Sequence, residues 1–212
     1  MSIKHLVENV SPERVAEFLD ALMPSDFTHN FGETFFIDGN SIAGFVAERP
    51  PQRYIDRAVF DATNSRVFAS YQITESDCDG HLINPENENR YPMMPMAKLA
   101  QAMAQVGSIL AINSTGDICN FENPSFSKVA LVKSVERVES CLAKIDHKVK
   151  FFLVPDDVIL ITADITSAKL TTVSCDTRTY IEGKTIALMP LTYEVLPWES
   201  FSRLYKRQYK RD

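Results

Sequence analysis

From residue 53 onward, apolar and polar positions alternate largely at a period of two, as in Ile159, Ile161, Ala163 and Ile165, and β-branched residues are frequent. That pattern predicts strands over about residues 53–61, 66–74, 127–140, 144–153, 158–169, 172–181 and 184–195. Between the second and third of these the period lengthens. Met96, Leu99, Ala100, Met103, Val106 and Leu110 fall on one helical stripe, while Ala97, Ala102, Ala104 and Gly107 keep the helix slim. The spacing predicts one long helix over about residues 96–113, buried in the hollow of a curved sheet, because small residues let backbones approach and large ones fill the concave face.

The first 47 residues follow a different plan. Ser11-Pro12-Glu13 is a helix start, with Ser as N-cap and Pro in the first turn, and Val15, Phe18, Leu19 and Leu22 share a face. A helix over about residues 12–23 is predicted, packed on the sheet or on a partner subunit. Phe31, Phe35, Phe36 and Phe45, interrupted by Gly32, Gly39-Asn40 and Gly44, predict a hairpin around Asp38-Gly39-Asn40. Residues 1–47 are therefore read as an extension over one edge or entrance of the core, residues 48–196 as the sheet-and-helix domain, and residues 197–212 as a tail.

Composition narrows the class. A chain of 212 residues, 45% hydrophobic and 24% charged, suits one globular domain with appendages. No apolar run is long enough to span a bilayer and the first residues lack a signal-peptide core, so a cytoplasmic location is the default expectation. Cys78, Cys119, Cys141 and Cys175 are widely spaced without a Cys-x-x-Cys, which predicts reduced thiols and no zinc site. Net charge is −6, yet residues 196–212 hold Arg203, Lys206, Arg207, Lys210 and Arg211 against Glu199 and Asp212. A solvated terminal helix is the simpler reading of this basic tail; attraction to an acidic carrier protein or anionic lipid is the other. No nucleic-acid-binding motif accompanies it.

The chemistry gathers ahead of the long helix. Gly80-His81 is followed by Pro92-Met93-Met94-Pro95, then Leu99 and Gln101-Ala102-Met103-Ala104-Gln105. A titratable imidazole on a loop just before a helix, whose first N–H groups point back toward that loop, is a place to polarise a carbonyl.

These residues carry a resemblance. Pro92-x-Met94-Pro95 with Leu99, Ala102, Ala104 and Gln105 resembles the helix signature of the hotdog-fold 3-hydroxyacyl-[acyl-carrier-protein] dehydratases, and Gly80-His81 their Gly-His-Phe-Pro loop. Pro50-Pro51-Gln52-Arg53-Tyr54-Ile55-Asp56-Arg57 is similar to the family's opening. Lys150-Phe151 with Pro155-Asp156-Asp157 resembles its Arg-Phe…Pro-Gly-Asp turn, and residues 179–184 its last hairpin. The likeness covers about residues 48–196. It implies an α+β hotdog fold, an antiparallel sheet wrapped around one central helix, paired edge to edge as a homodimer or a multiple of it.

By the same resemblance the ligand is an acyl thioester on acyl carrier protein or coenzyme A, with no cofactor and no metal. His81 is the base that removes the proton α to the carbonyl. Gly80, Met94, Pro95, Met96 and Gln105 border the bound thioester, whose carbonyl lies over the helix start. The departures are specific: Gln101 stands where the family's helix presents a carboxylate, Met96 replaces its glycine, and residues 84–90 lengthen its loop. An amide donates and accepts hydrogen bonds but cannot release a proton as an acid does. Ser76-Asp77-Cys78-Asp79-Gly80-His81-Leu82-Ile83-Asn84 also resembles, more weakly, the Asp-x-x-Gly-His-x-x-Asn loop of hotdog thioesterases, where the Asp77 position is general base or nucleophile and Asp79 is the neighbour to control for. Asp77 and Asp79 equally suit a turn or cap. Three readings follow: a dehydratase with Gln101 as orienting amide, a thioesterase using Asp77, and a non-catalytic acyl- or carrier-binding subunit.

Overall fold

The computed structural model describes residues 7–9, 11–20, 22, 31–42, 46, 52–78, 80–83, 90–115, 128–136, 139–140 and 152–209. In chain order the elements are β1 (Val7–Asn9), α1 (Pro12–Asp20), β2 (Thr34–Ile37), α2 (Gly39–Ile42), β3 (Arg57–Asp61), β4 (Arg66–Gln72), β5 (Gly80–Ile83), β6 (Arg90–Met93), α3 (Met96–Ser114), β7 (Lys128–Val135), β8 (Glu139–Ser140), β9 (Val158–Lys169), β10 (Thr172–Ile181), β11 (Lys184–Pro197) and α4 (Trp198–Tyr209). Among the described residues, nine strands form one antiparallel sheet in the order β1-β2-β3-β4-β9-β10-β11-β7, with β8 also on β11; β5 and β6 make a separate ribbon.

The period-two alternation divides the sheet into two faces. Ala58, Ala69 and Ile161 pair across β3, β4 and β9 and point to α3, whose Leu99, Met103, Val106 and Leu110 are fully buried among them. At one point the helix meets the sheet at very close range. Tyr193 of β11 donates its hydroxyl to the Ala104 carbonyl at 2.6 Å, and a Cβ on Gly107 would lie 2.4 Å from that hydroxyl oxygen. Glycine is required there by space.

On the opposite, convex face Val59, Phe68, Leu160 and Tyr180 form a second apolar cluster with Val15 and Leu19 of α1. The 100° per residue of a helix brings Val15, Phe18, Leu19 and Leu22 to one side, and that side lies on the sheet. Farther along this face, Arg66 and Arg178 both pair with Asp164, so its polar stretch is neutralised by cross-strand charges.

Several expectations are corrected. The hairpin around Asp38-Gly39-Asn40 does not form: β2 runs into the helical turn α2, and its sheet partners are β1 and β3. The amide of Ile42 closes that turn on the Asp38 carbonyl at 2.9 Å. The extension thus lengthens the sheet beside β3 and covers its convex face. The first predicted strand begins only at Arg57, and the strand over 127–140 is interrupted between β7 and β8. Of the strand predicted over 144–153, Phe152 and Leu153 are described and are not in a strand.

Candidate active site

The approach to α3 is built by four short segments tied together through their backbones. β6 leads through Met94 and Pro95 into α3, and the Met94 amide donates to the Leu153 carbonyl at 2.8 Å. The 153–157 turn is in turn clamped to the end of β4, because the Ile73 amide donates to the Asp157 carbonyl and the Asp156 amide to the Ile73 carbonyl, both at 2.9 Å. Asp157 closes that turn by accepting from the Val154 amide at 2.9 Å. Asp156 sits at φ 71°, in the left-handed region, at the position where the resembling turn carries glycine.

Beyond β4 the chain makes a single 3₁₀ turn, Glu75–Asp77. Asp77 is only 2% exposed, and its Oδ2 accepts three hydrogen bonds: from the Tyr71 hydroxyl at 2.6 Å, the Thr74 amide at 2.8 Å and the Thr74 hydroxyl at 2.7 Å. Burial, and then the bond to Asp77, hold the Tyr71 phenol well above its usual pKa, so it stays a donor. That carboxylate oxygen is committed to closing the turn.

Gln105 has a similar commitment. Its Oε1 accepts from the Tyr54 amide at 2.8 Å and its Nε2 donates to the Gln52 carbonyl at 2.6 Å, which fastens the segment before β3 to the middle of α3. Tyr54 then stacks edge to face on Tyr71, with ring centroids 5.7 Å apart. A continuous path of contacts runs from α3 through Gln105, Tyr54 and Tyr71 to Asp77.

Gln101 lies one turn before Gln105 on the same side of α3, since residues four apart share a face. It is partly buried, and among the described residues its side chain has no hydrogen-bond partner. The helix start is open in the same sense. Pro95 is the N-cap and its carbonyl takes the amides of Lys98 and Leu99, at 3.0 and 3.2 Å, which leaves the N–H groups of Met96 and Ala97 without an intrahelical acceptor. Lys98 donates to the Ser76 carbonyl at 3.0 Å, bracing the first turn of α3 against the Asp77 turn.

The β5–β6 ribbon fixes the backbone of His81. It stands opposite Pro92, and Gly80 opposite Met93, so His81 is in a strand and not on the loop expected from sequence. The ribbon carries its backbone to within a few residues of the helix start. Asp79 and residues 84–89 of the lengthened loop lie outside the described residues. Met94 and Met103 belong to the core cluster, whereas Met96 is 39% exposed at the first position of α3. An open cleft of about 670 Å³ flanks the turn, lined by Arg53, Asp56, Arg57, Thr74, Ser76 and Asp77 among others, with no residue of α3 in its wall.

Cysteine chemistry finds little support. Cys78 and Cys175 are buried free thiols, and burial together with Asp176 and Asp164 pushes Cys175 up to about 12. Among the described residues no group of three or more His, Cys, Asp or Glu is arranged to hold a metal ion. Sequence reasoning missed Lys98, Tyr54 and Tyr71; their partners lie 22, 51 and 6 residues away, and no local motif connects them.

The strand order, with a long helix between the second and third core strands and cradled by the sheet, is that of the hotdog fold. The chain is similar to the dehydratase heterocomplex ApeI:P from Xenorhabdus doucetiae, at 11% identity and a TM-score of 0.53 over 77% of this chain and 96% of that one. It is likewise similar to the fluoroacetyl-CoA thioesterase FlK, at 13% identity and a TM-score of 0.50 over 68% of this chain and 94% of that one. No protein-family model and no curated protein sequence matches.

Proposed function

We propose that this chain acts on acyl thioesters as a 3-hydroxyacyl thioester dehydratase-like lyase, the acyl group being carried on acyl carrier protein or coenzyme A. The observation that carries the reading is the partly buried Gln101 on α3, which has no side-chain hydrogen-bond partner among the described residues and stands five residues past a helix start whose first two N–H groups have no intrahelical acceptor. The thioester carbonyl docks at the N–H groups of Met96 and Ala97, where the helix dipole favours the enolate oxygen. His81 takes the C2 proton. Gln101 orients the 3-hydroxyl, which departs as water with the proton returned by the His81 imidazolium, so the products are a 2-enoyl thioester and water and His81 ends neutral.

One observation favours lyase over hydrolase chemistry within this site: Asp77, the base or nucleophile of the alternative, has one carboxylate oxygen spent on three hydrogen bonds. Thioester hydrolysis remains the second reading, supported by the same helix-start amides without an intrahelical acceptor, which serve any developing oxyanion. Pairing through the outer edge of β7, where Val132 and Val135 are 46% and 48% exposed, is the homodimer contact this reading expects.

The experiment is to incubate the purified chain with 3-hydroxyacyl, 2-enoyl and saturated acyl thioesters and identify products by mass spectrometry, beside His81→Ala and Asp77→Asn. Interconversion of hydroxyacyl and enoyl thioesters that is lost in His81→Ala supports the lyase. Release of free thiol that is lost in Asp77→Asn, with that variant still folded, replaces it with the thioesterase. Binding without turnover replaces both with an acyl-binding subunit.

A further inference from the structure

The basic tail is a helix, and its two sides are sharply different. Counting 100° per residue along α4, Trp198, Phe201, Leu204 and Tyr205 fall within an arc of roughly 120°, and Arg203, Lys206 and Arg207 fall opposite. The aromatic rings form a ridge, with Trp198 and Phe201 centroids 5.4 Å apart and Phe201 and Tyr205 centroids 6.1 Å apart. Much of the ridge faces solvent: Trp198, Leu204 and Tyr205 are 41%, 51% and 52% exposed, and Phe201 between them is partly buried. Among the described residues α4 packs beside the end of β11 and the start of β7.

We propose that α4 is a membrane-surface anchor, lying flat on an anionic lipid leaflet with the Trp198–Phe201–Tyr205 ridge and Leu204 in the headgroup and upper acyl region and its basic side among the phosphates. A strongly amphipathic helix that is polar overall, with Trp, Phe and Leu on one face and Lys and Arg on the other, has this as its favoured environment. Tryptophan and tyrosine prefer the depth where apolar and wet regions meet. Charge decides both partner and orientation. Apart from residues 196–212 the chain is net acidic, so an anionic surface attracts the tail and repels the summed charge of the body, which favours an α4-first approach. The single negative side chain of α4, Glu199, is offset by Arg203 at 3.8 Å. An acidic protein partner would satisfy the basic side, but its charged surface would not receive an apolar ridge that follows the helix axis.

Trp198 is the chain's only tryptophan and lies on the proposed contact face, so its emission reports the contact directly. The full chain is mixed with vesicles of phosphatidylcholine alone or of phosphatidylcholine with phosphatidylglycerol, and followed by Trp198 emission and by flotation. The expected result is a blue shift and co-flotation with the anionic vesicles only, reduced by salt. Lys206→Glu with Arg207→Glu, and separately Leu204→Ser with Tyr205→Ser, should weaken it, by roughly fivefold or more for each basic residue removed. All four positions are exposed, so the variants fold; circular dichroism and an unchanged thermal melt check this independently of the reaction proposed above. No shift with anionic vesicles overturns the proposal. So does a shift produced by an acidic carrier protein and not by vesicles, or by self-association that Leu204→Ser abolishes.

Discussion

Tyr71 donates its hydroxyl to Asp77 Oδ2 across 2.6 Å in a buried pocket, joining the last turns of β4 to the segment that leads to His81. Because Asp77 takes two further bonds on the same oxygen from Thr74, this pair is the support on which the candidate site stands. Tyr71→Phe should cost about 1–2 kcal/mol and Asp77→Asn about 1–3 kcal/mol by chemical denaturation, with a coupling energy in the double-mutant cycle. The pH dependence follows from the phenol. Its folded pKa lies above the unfolded one, so its contribution is complete below pH 10.0 and is lost as pH rises past that value. Tyr71→Phe should flatten the alkaline slope of stability above pH 10.0.

Gln105→Leu keeps the volume of a buried side chain but leaves the Tyr54 amide and the Gln52 carbonyl without their partner. A loss of about 2–3 kcal/mol is expected. Hydrogen exchange should localise the change, with the Tyr54 amide losing protection while the amides of β9 and β10 keep theirs.

Gln101→Glu is the gain-of-function test of the lyase reading. A carboxylic acid at this partly buried position supplies the proton donor that an amide cannot. Hydration of a 2-enoyl thioester should rise by on the order of a hundredfold. Unchanged hydration in a folded Gln101→Glu protein would count against the placement of the leaving group beside this residue.

Gly107→Ala places a methyl carbon against the Tyr193 hydroxyl and the adjoining ring. Helix propensity alone would favour alanine by close to 1 kcal/mol, yet the clash should reverse the sign and destabilise by about 1–3 kcal/mol. Combining it with Tyr193→Phe removes the nearest atom and should recover part of the loss, which a thermal melt of the three variants reads out.

Leu170 is 97% exposed in the turn between β9 and β10 and has φ 49°, a conformation costly for a branched side chain. Leu170→Gly should stabilise by about 0.5–1 kcal/mol, the left-handed penalty less the entropy of glycine. Asp156→Gly, at φ 71°, should be smaller in effect because aspartate tolerates this region better.

The central architecture was legible because each part of it is written in local periodicity. The helix expected over residues 96–113 is found as Met96–Ser114, and β9 and β10 match their predicted bounds, since a one-residue slip would turn every apolar side chain of those strands toward solvent. The start of α1 was equally plain, from Ser11 and Pro12. The α2 region misled because glycine and asparagine serve a helical turn as readily as a hairpin; the choice came from β2, whose two edges are taken by β1 and β3.

What sequence by itself determined, then, is the order of the long helix and the strands around it and which side of each faces inward, together with the candidate polar residues between 77 and 105. Tertiary structure alone decided what each polar residue there does. Asp77, Gln101 and Gln105 are three ordinary polar residues in the chain; folding buries Asp77 against Tyr71 and Gln105 against the backbone of residues 52–54, and gives Gln101 no side-chain partner among the described residues. The reason is physical: periodicity records burial, which a side chain expresses by its own character, whereas a hydrogen-bond role depends on a partner that the fold brings from far along the chain.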